Sequence, residues 1–227
     1  VEIMKEHLKC NTEICVLTSP KFLSFAKIND IARIIQENYK PQGPAETTEW
    51  LSNVEIDTIL EQLVKKYSNR KCLHITYQTR DFQEIGSNMA RLDFVEVFKK
   101  YNCFAVVFNT DYHTGSGIHW FCMFGELDMA TETITLEYFN SSGRPPLPEI
   151  QEWLIKTKNE LIKADQWKKV EIVYVNSVEF QDDDHSCGVY TLSYIWLRLE
   201  GAKPKWFTKD LFNDALMLQM RKRLFRS

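Results

Sequence analysis

The chain has 227 residues, 44% hydrophobic and 26% charged, with 28 Lys and Arg against 31 Asp and Glu for a net charge of −3. That balance belongs to a globular chain long enough to bury a core without metal or disulfide staples, and it argues against nucleic-acid recognition through a basic face. The longest wholly apolar run, Cys103 to Phe108, is too short to span a bilayer, and the eight glycines form neither phosphate-cradling pattern, which argues against nucleotide chemistry.

Val1 opens the chain and no charged-then-apolar leader follows it, so an upstream signal is left open. The six cysteines (Cys10, Cys15, Cys72, Cys103, Cys122 and Cys187) form no C-x-x-C pair. They read as reduced thiols of a cytosolic protein, with Cys72, Cys103 and Cys122 as small hydrophobes in strands.

Ser19-Pro20 predicts a helix start, with Phe22, Phe25, Ala26, Ile28, Ile31, Ile34 and Ile35 at helical spacings. The break Tyr39-Lys-Pro-Gln-Gly-Pro44 then separates a helical N-terminal arm, residues 1–45, from a core of residues 46–227. A helix over Val54 to Tyr67 shows Ile56, Ile59, Leu60 and Leu63 on one face. Strands are expected at Cys72–Tyr77, Cys103–Phe108, Ile118–Phe124, Thr133–Phe139 and Val170–Val175. Helices are expected at Pro148–Ala164, at Cys187–Leu199, and after Thr208 as N-cap. The last ends in Arg221, Lys222, Arg223 and Arg226, which suit a helix C-terminus. Strands in mid-chain with helices before and after predict an α+β fold.

Cys187 is the residue whose chemistry stands out. It opens a helix after the polar run Gln181-Asp-Asp-Asp-His-Ser186, where the dipole favours a thiolate and the first N–H groups are free to meet an oxyanion. Gly188 behind it leaves room for a substrate backbone, whereas the acidic triplet opposes the thiolate. His119 precedes Trp120 in an expected strand, and Asn140 closes the next in a good turn sequence, Asn-Ser-Ser-Gly143. Alone, each also reads as an ordinary structural residue. Asp182, Asp184 and His185 offer a rival metal reading, but a solvated acidic loop explains them better without a second ligand cluster. His113 and His185 are rival bases, and neither precedes a Trp on a strand.

Together, His119-Trp120, Asn140-Ser141 and Gln181-x5-Cys187-Gly188 resemble the ubiquitin-like protease family, which includes the SUMO proteases and the adenovirus maturation protease. Glu49-Trp-Leu-Ser-Asn53 is similar to that family's Trp-Leu-Asn-Asp motif, with Ser52-Asn53 in place of its last two residues. Asn109–Trp120, Glu137–Gly143 and Cys10-x4-Cys15-Val16 resemble the branch found in African swine fever virus and related large DNA viruses, over nearly the whole chain. The resemblance implies a papain-like, adenain-like core: a central mixed β-sheet flanked by helices. It implies Cys187 as nucleophile, His119 as base, Asn140 as its orienting partner and Gln181 as oxyanion donor, with no metal or organic cofactor. Trp50 and Trp120 become two walls of a substrate tunnel passable only by glycine. The implied partner is a polypeptide with Gly-Gly-Xaa sites, either a viral polyprotein precursor or a ubiquitin-like tail, met by a monomer that needs neither nucleic acid nor membrane. The implied setting is the reducing host cytoplasm, at virus factories, and the virion. The competing class of function is a non-catalytic module that grips ubiquitin-like tails.

Overall fold

The computed structural model describes residues 2–11, 15–16, 19–23, 40–41, 43–44, 48–175 and 178–225. The chain divides into two compact units, Val1–Gln42 and Gly43–Phe225. In the first, α1 (Glu2–Leu8) and α2 (Pro20–Leu23) are short, and the predicted isoleucine-bearing helix beyond residue 23 lies outside the described residues. Cys10 and Cys15 form a disulfide there, which corrects the expectation of uniformly reduced thiols; Cys72, Cys103, Cys122 and Cys187 are free and buried. No described helix is long and apolar enough to cross a membrane.

The second unit starts with α3 (Asn53–Lys66), fixed by a capping box. The Ser52 side chain accepts the Glu55 backbone N–H, while the Glu55 carboxylate accepts the Ser52 N–H at 2.7 Å. Six strands follow: β1 (Cys72–His74), β2 (Gln78–Thr79), β3 (Cys103–Asn109), β4 (Trp120–Asp128), β5 (Thr133–Phe139) and β6 (Lys169–Val175). They form one mixed sheet in the order β1-β3-β4-β5-β6, with β2 pairing parallel to β3. The expected strand at Cys72–Tyr77 is therefore shorter, and the chain pairs with β3 twice, at Cys72↔Cys103 and again at Gln78↔Phe108. The β3/β4 and β4/β5 pairings are antiparallel and β5/β6 is parallel.

Every residue of β3 is buried, because helices cover both faces of the sheet. Cys103, Ala105 and Val107 face a core shared with α3, α6 (Cys187–Leu199) and α7 (Asp214–Leu224). Phe104, Val106 and Phe108 face the opposite core, built with α4 (Phe94–Lys100) and α5 (Pro148–Lys163). The sequence reading missed α4, whose seven residues are too few for a periodicity to register. Asp93 caps it by accepting the N–H groups of Val95 and Glu96. The N-cap of α7 is Asn213, which accepts the Leu216 N–H; Thr208 instead closes a turn, its carbonyl accepting from Leu211 and Phe212.

α6 is buried along nearly its whole length, so its charged and long polar side chains are paired inside, while the Ser193 hydroxyl is left without a partner among the described residues. Arg198 donates to both oxygens of Glu137, at 2.8 and 2.6 Å, and to Glu126 at 2.7 Å; Tyr194 adds a hydrogen bond to Glu137 at 2.7 Å. Burial pushes the Glu137 carboxyl above its ordinary range, and Arg198 opposes the rise. This ion pair fixes the C-terminal half of α6 against the sheet and leaves Cys187 at its other end.

Candidate active site

His119 sits one residue before β4 rather than within a strand. Its approach is a folded loop. Asn109 Oδ1 accepts the N–H groups of Asp111 (2.9 Å) and Ile118 (3.0 Å), and Asp111 Oδ2 accepts the Gly117 N–H at 3.0 Å. A Cβ at Gly115 would lie within the van der Waals envelope of the Asp111 carboxylate, and Gly117 has φ +91°, so both positions require glycine. The loop closes where the Thr110 N–H donates to the His119 carbonyl at 2.9 Å.

Asn140 follows β5 in the predicted turn, whose Gly143 has φ +68°. The orientation of its carboxamide follows from its neighbours. The Ser142 backbone N–H, 3.0 Å from Oδ1, can only donate, so oxygen occupies that side and Nδ2 donates to Tyr138 Oη at 2.9 Å. Oδ1 lies 2.8 Å from His119 Nε2. That assigns the ring proton to Nε2 and leaves Nδ1 with its lone pair, the form needed by a base. Burial pulls the His119 imidazole below the ordinary histidine range; the Asn140 bond resists and Arg144 adds to the fall.

Cys187 is 5% exposed. Burial pushes its thiol above the ordinary range, outweighing backbone N–H groups of Trp120, Gly188 and Cys187 itself, while the Asp183 carboxylate adds to the rise. The expected helix-start lowering is thus present in the amide donors and overruled by desolvation. Thr191 Oγ1 joins the two halves of the site, donating to the Cys187 carbonyl at 2.8 Å with the Trp120 carbonyl 3.3 Å away. Gln181 is buried beside the Asn140 turn: Phe180 and Gln181 donate their backbone N–H groups to the Ser141 carbonyl, and the Ser141 hydroxyl donates to Gln181 Oε1 at 2.8 Å.

A cleft of about 250 Å3 runs to Cys187, lined by Trp50, Trp120, Tyr77, Ser52 and the Asp111–Ile118 loop. Trp50 is 56% exposed, whereas Trp120 is 7% exposed and donates its indole N–H to the Leu51 carbonyl at 2.9 Å. Gly188 is buried against Leu51, whose side chain would lie 3.1 Å from an added Cβ; it is a packing glycine that does not line the cleft. Asp182 pairs with Lys209 and the Asp184 side chain stands in solvent, so the acidic loop gathers no ligand set, and no metal-holding cluster occurs among the described residues. The sequence reading missed Ser141, Ser142, Tyr138 and Thr191, which act on the site residues through hydrogen bonds that no spacing announces.

A thiol at a helix start with a cleft leading to it, and a histidine oriented by a carboxamide, are the parts of a cysteine protease. No protein-family model matches the chain. It is 31% identical to the SUMO-1 cysteine protease S273R of African swine fever virus (isolate Pig/Kenya/KEN-50/1950), over 98% of this chain and 85% of that protein. It superimposes on the crystal structure of the African swine fever virus pS273R protease with a TM-score of 0.85 and 28% identity, covering 99% of this chain and 86% of that one. The SUMO protease Ulp1, with its catalytic cysteine oxidised to a sulfonic acid, shares the fold at a TM-score of 0.50 and 12% identity, over 87% of this chain and 92% of that one. The chain belongs to the family of the S273R cysteine proteases: it is a cysteine protease of the SUMO-protease type.

Proposed function

We propose that the protein is an endopeptidase that cleaves after Gly-Gly in viral structural polyproteins, with Cys187 as nucleophile and His119 as base. The observation that carries the reading is the cleft that passes Trp50 and Trp120 and ends at Cys187. An extended backbone between two indole faces has no room for a β-carbon, so only glycine passes. In this reading His119 Nδ1 takes the thiol proton and sulfur attacks the carbonyl. The resulting imidazolium then gives that proton to the leaving amine, and water hydrolyses the acyl-enzyme. Burial disfavours each charged form taken singly, and the mutual attraction of thiolate and imidazolium offsets that cost when the pair forms. Asn140 holds the ring, and Gln181 with the Cys187 N–H receives the oxyanion.

The reading places the enzyme in the host cytoplasm and the virion, working as a monomer, with the N-terminal arm serving folded precursors more than short peptides. The name of the relative, a SUMO-1 cysteine protease, favours a second reading, removal of ubiquitin-like modifiers from conjugates. A Gly-Gly-Xaa peptide series with Gly→Ala at each position tests the site. Loss of cleavage at both tunnel positions supports it, and wild-type rates on the alanine peptides reject it. Mass spectrometry of new termini from a precursor and from a ubiquitin-like conjugate separates the two substrates.

A further inference from the structure

The turn between Gln181 and Cys187 converges on one side chain. Asp183 Oδ1 accepts the backbone N–H groups of His185 (3.0 Å) and Ser186 (2.8 Å), and Oδ2 accepts the Ser186 hydroxyl at 2.6 Å. The same residue receives the Gln181 carboxamide, whose Nε2 lies 2.9 Å from the Asp183 carbonyl and 3.1 Å from Oδ1. Those oxygens only accept, so the amide nitrogen must face them, and Ser141 holds the amide oxygen at the other end. α7 locks the turn from behind: Asp214 Oδ2 accepts the N–H groups of Asp182 and Asp183, each at 3.2 Å, and Oδ1 accepts the Tyr190 hydroxyl at 2.6 Å.

We propose that Asp183 is a positioning residue for the reaction: its carboxylate holds the turn, and with its carbonyl it accepts from Gln181 Nε2, fixing the carboxamide in the orientation that meets the developing oxyanion. The proposal rests on the assignment of Gln181 as an oxyanion donor. An amide held at oxygen by Ser141 and at nitrogen by Asp183 has its plane fixed, which is the preorganisation an oxyanion hole requires. The carboxylate also carries an electrostatic cost, since it lifts the Cys187 thiol. The charged groups around the pair are Asp183 and Arg221 near Cys187, and His185, Asp214 and Arg221 near Asp183. Arg221 sits buried on α7, donating to the Glu49 carbonyl at 3.0 Å. Geometry and charge at Asp183 therefore push catalysis in opposite directions, a signature that a merely structural residue lacks.

A double-mutant cycle on hydrolysis of a Gly-Gly-Xaa peptide reads the geometry. Asp183→Ala should lower kcat about a hundredfold with little change in KM, and should add almost nothing to the loss caused by Gln181→Ala. Asp183→Asn keeps the acceptor and loses the charge. It should hold kcat within about tenfold of wild type while the pH midpoint of Cys187 alkylation by iodoacetamide falls. Should Asp183→Ala fail to fold, Asp183→Ser takes its place in the cycle. Losses that multiply across the cycle, or an Asp183→Asn enzyme as slow as Asp183→Ala, overturn the positioning role. Gln181→Ala at the wild-type rate overturns it differently, by removing the oxyanion assignment on which it stands.

Discussion

On the sheet face covered by α4 and α5, the buried side chains are almost all apolar. Phe94 meets Phe104 and Trp153 edge-on, each with ring centroids 5.0 Å apart, and Phe108 stacks on Phe121 at 5.1 Å. On the opposite face, under α6, apolar packing is interrupted by Glu137, Arg198, Thr191 and Cys187. The same strands supply both faces by alternation. The first is a support whose loss should be felt in stability alone. The second buries polar groups at the cost of desolvation, and some of them satisfy one another, as Arg198 and Glu137 do.

That contrast can be broken from either side. Cys187→Ala should have the largest effect, abolishing peptide turnover while the melting temperature stays within a few degrees, because sulfur serves chemistry more than packing. Retention of even a tenth of the activity would mean another nucleophile. His119→Ala should follow with a loss of roughly 10²–10⁴ in rate, the range for removing a general base. Phe94→Ala, on the support face, should cost about 3–5 kcal/mol in denaturant unfolding and leave kcat per folded molecule unchanged. A large fall in kcat with unchanged stability would show that the two faces are not separable. Among the three site variants Asn140→Ala should have the smallest effect on rate, since it orients a base and exchanges no proton; a loss equal to that of Cys187→Ala, with the fold intact, would contradict this role.

Much of this was legible in the sequence where one signal dominated. β3 reads as a buried strand because every residue from Cys103 to Phe108 is apolar, and α3 reads from its isoleucines and leucines at helical spacing. The candidate site residues are singled out by a family resemblance in their order, His119-Trp120 before Asn140 before Gln181 and Cys187, and the His119–Asn140 bond is the part of it that the structure brings together. Local signals failed where backbone geometry or distant partners decided. Thr208 looked like a cap, yet Asn213 is the residue whose side chain reaches a free N–H. Arg198 and Glu137 lie 61 residues apart and meet only once α6 crosses the sheet. Asp183 looked like one of three solvated acids, and only the folded turn shows that Gln181, His185 and Ser186 all donate to it. The thiol was expected to be lowered by the helix start, a local effect, but its ionisation is set by burial, which is a property of the whole packed site.

The central claim, that Cys187 is the reactive thiol at the end of a glycine-selective cleft, is tested most directly by covalent trapping. A peptide ending in Gly-Gly with a vinyl ester electrophile in place of the scissile carbonyl is incubated with the native protein, and the adduct is located by peptide mass spectrometry. The account predicts one adduct, on Cys187, absent from Cys187→Ala, much slower in His119→Ala, and lost when the glycines beside the electrophile become alanines, with Cys72, Cys103 and Cys122 unmodified. An adduct on another residue, or labelling that persists in Cys187→Ala, would contradict it.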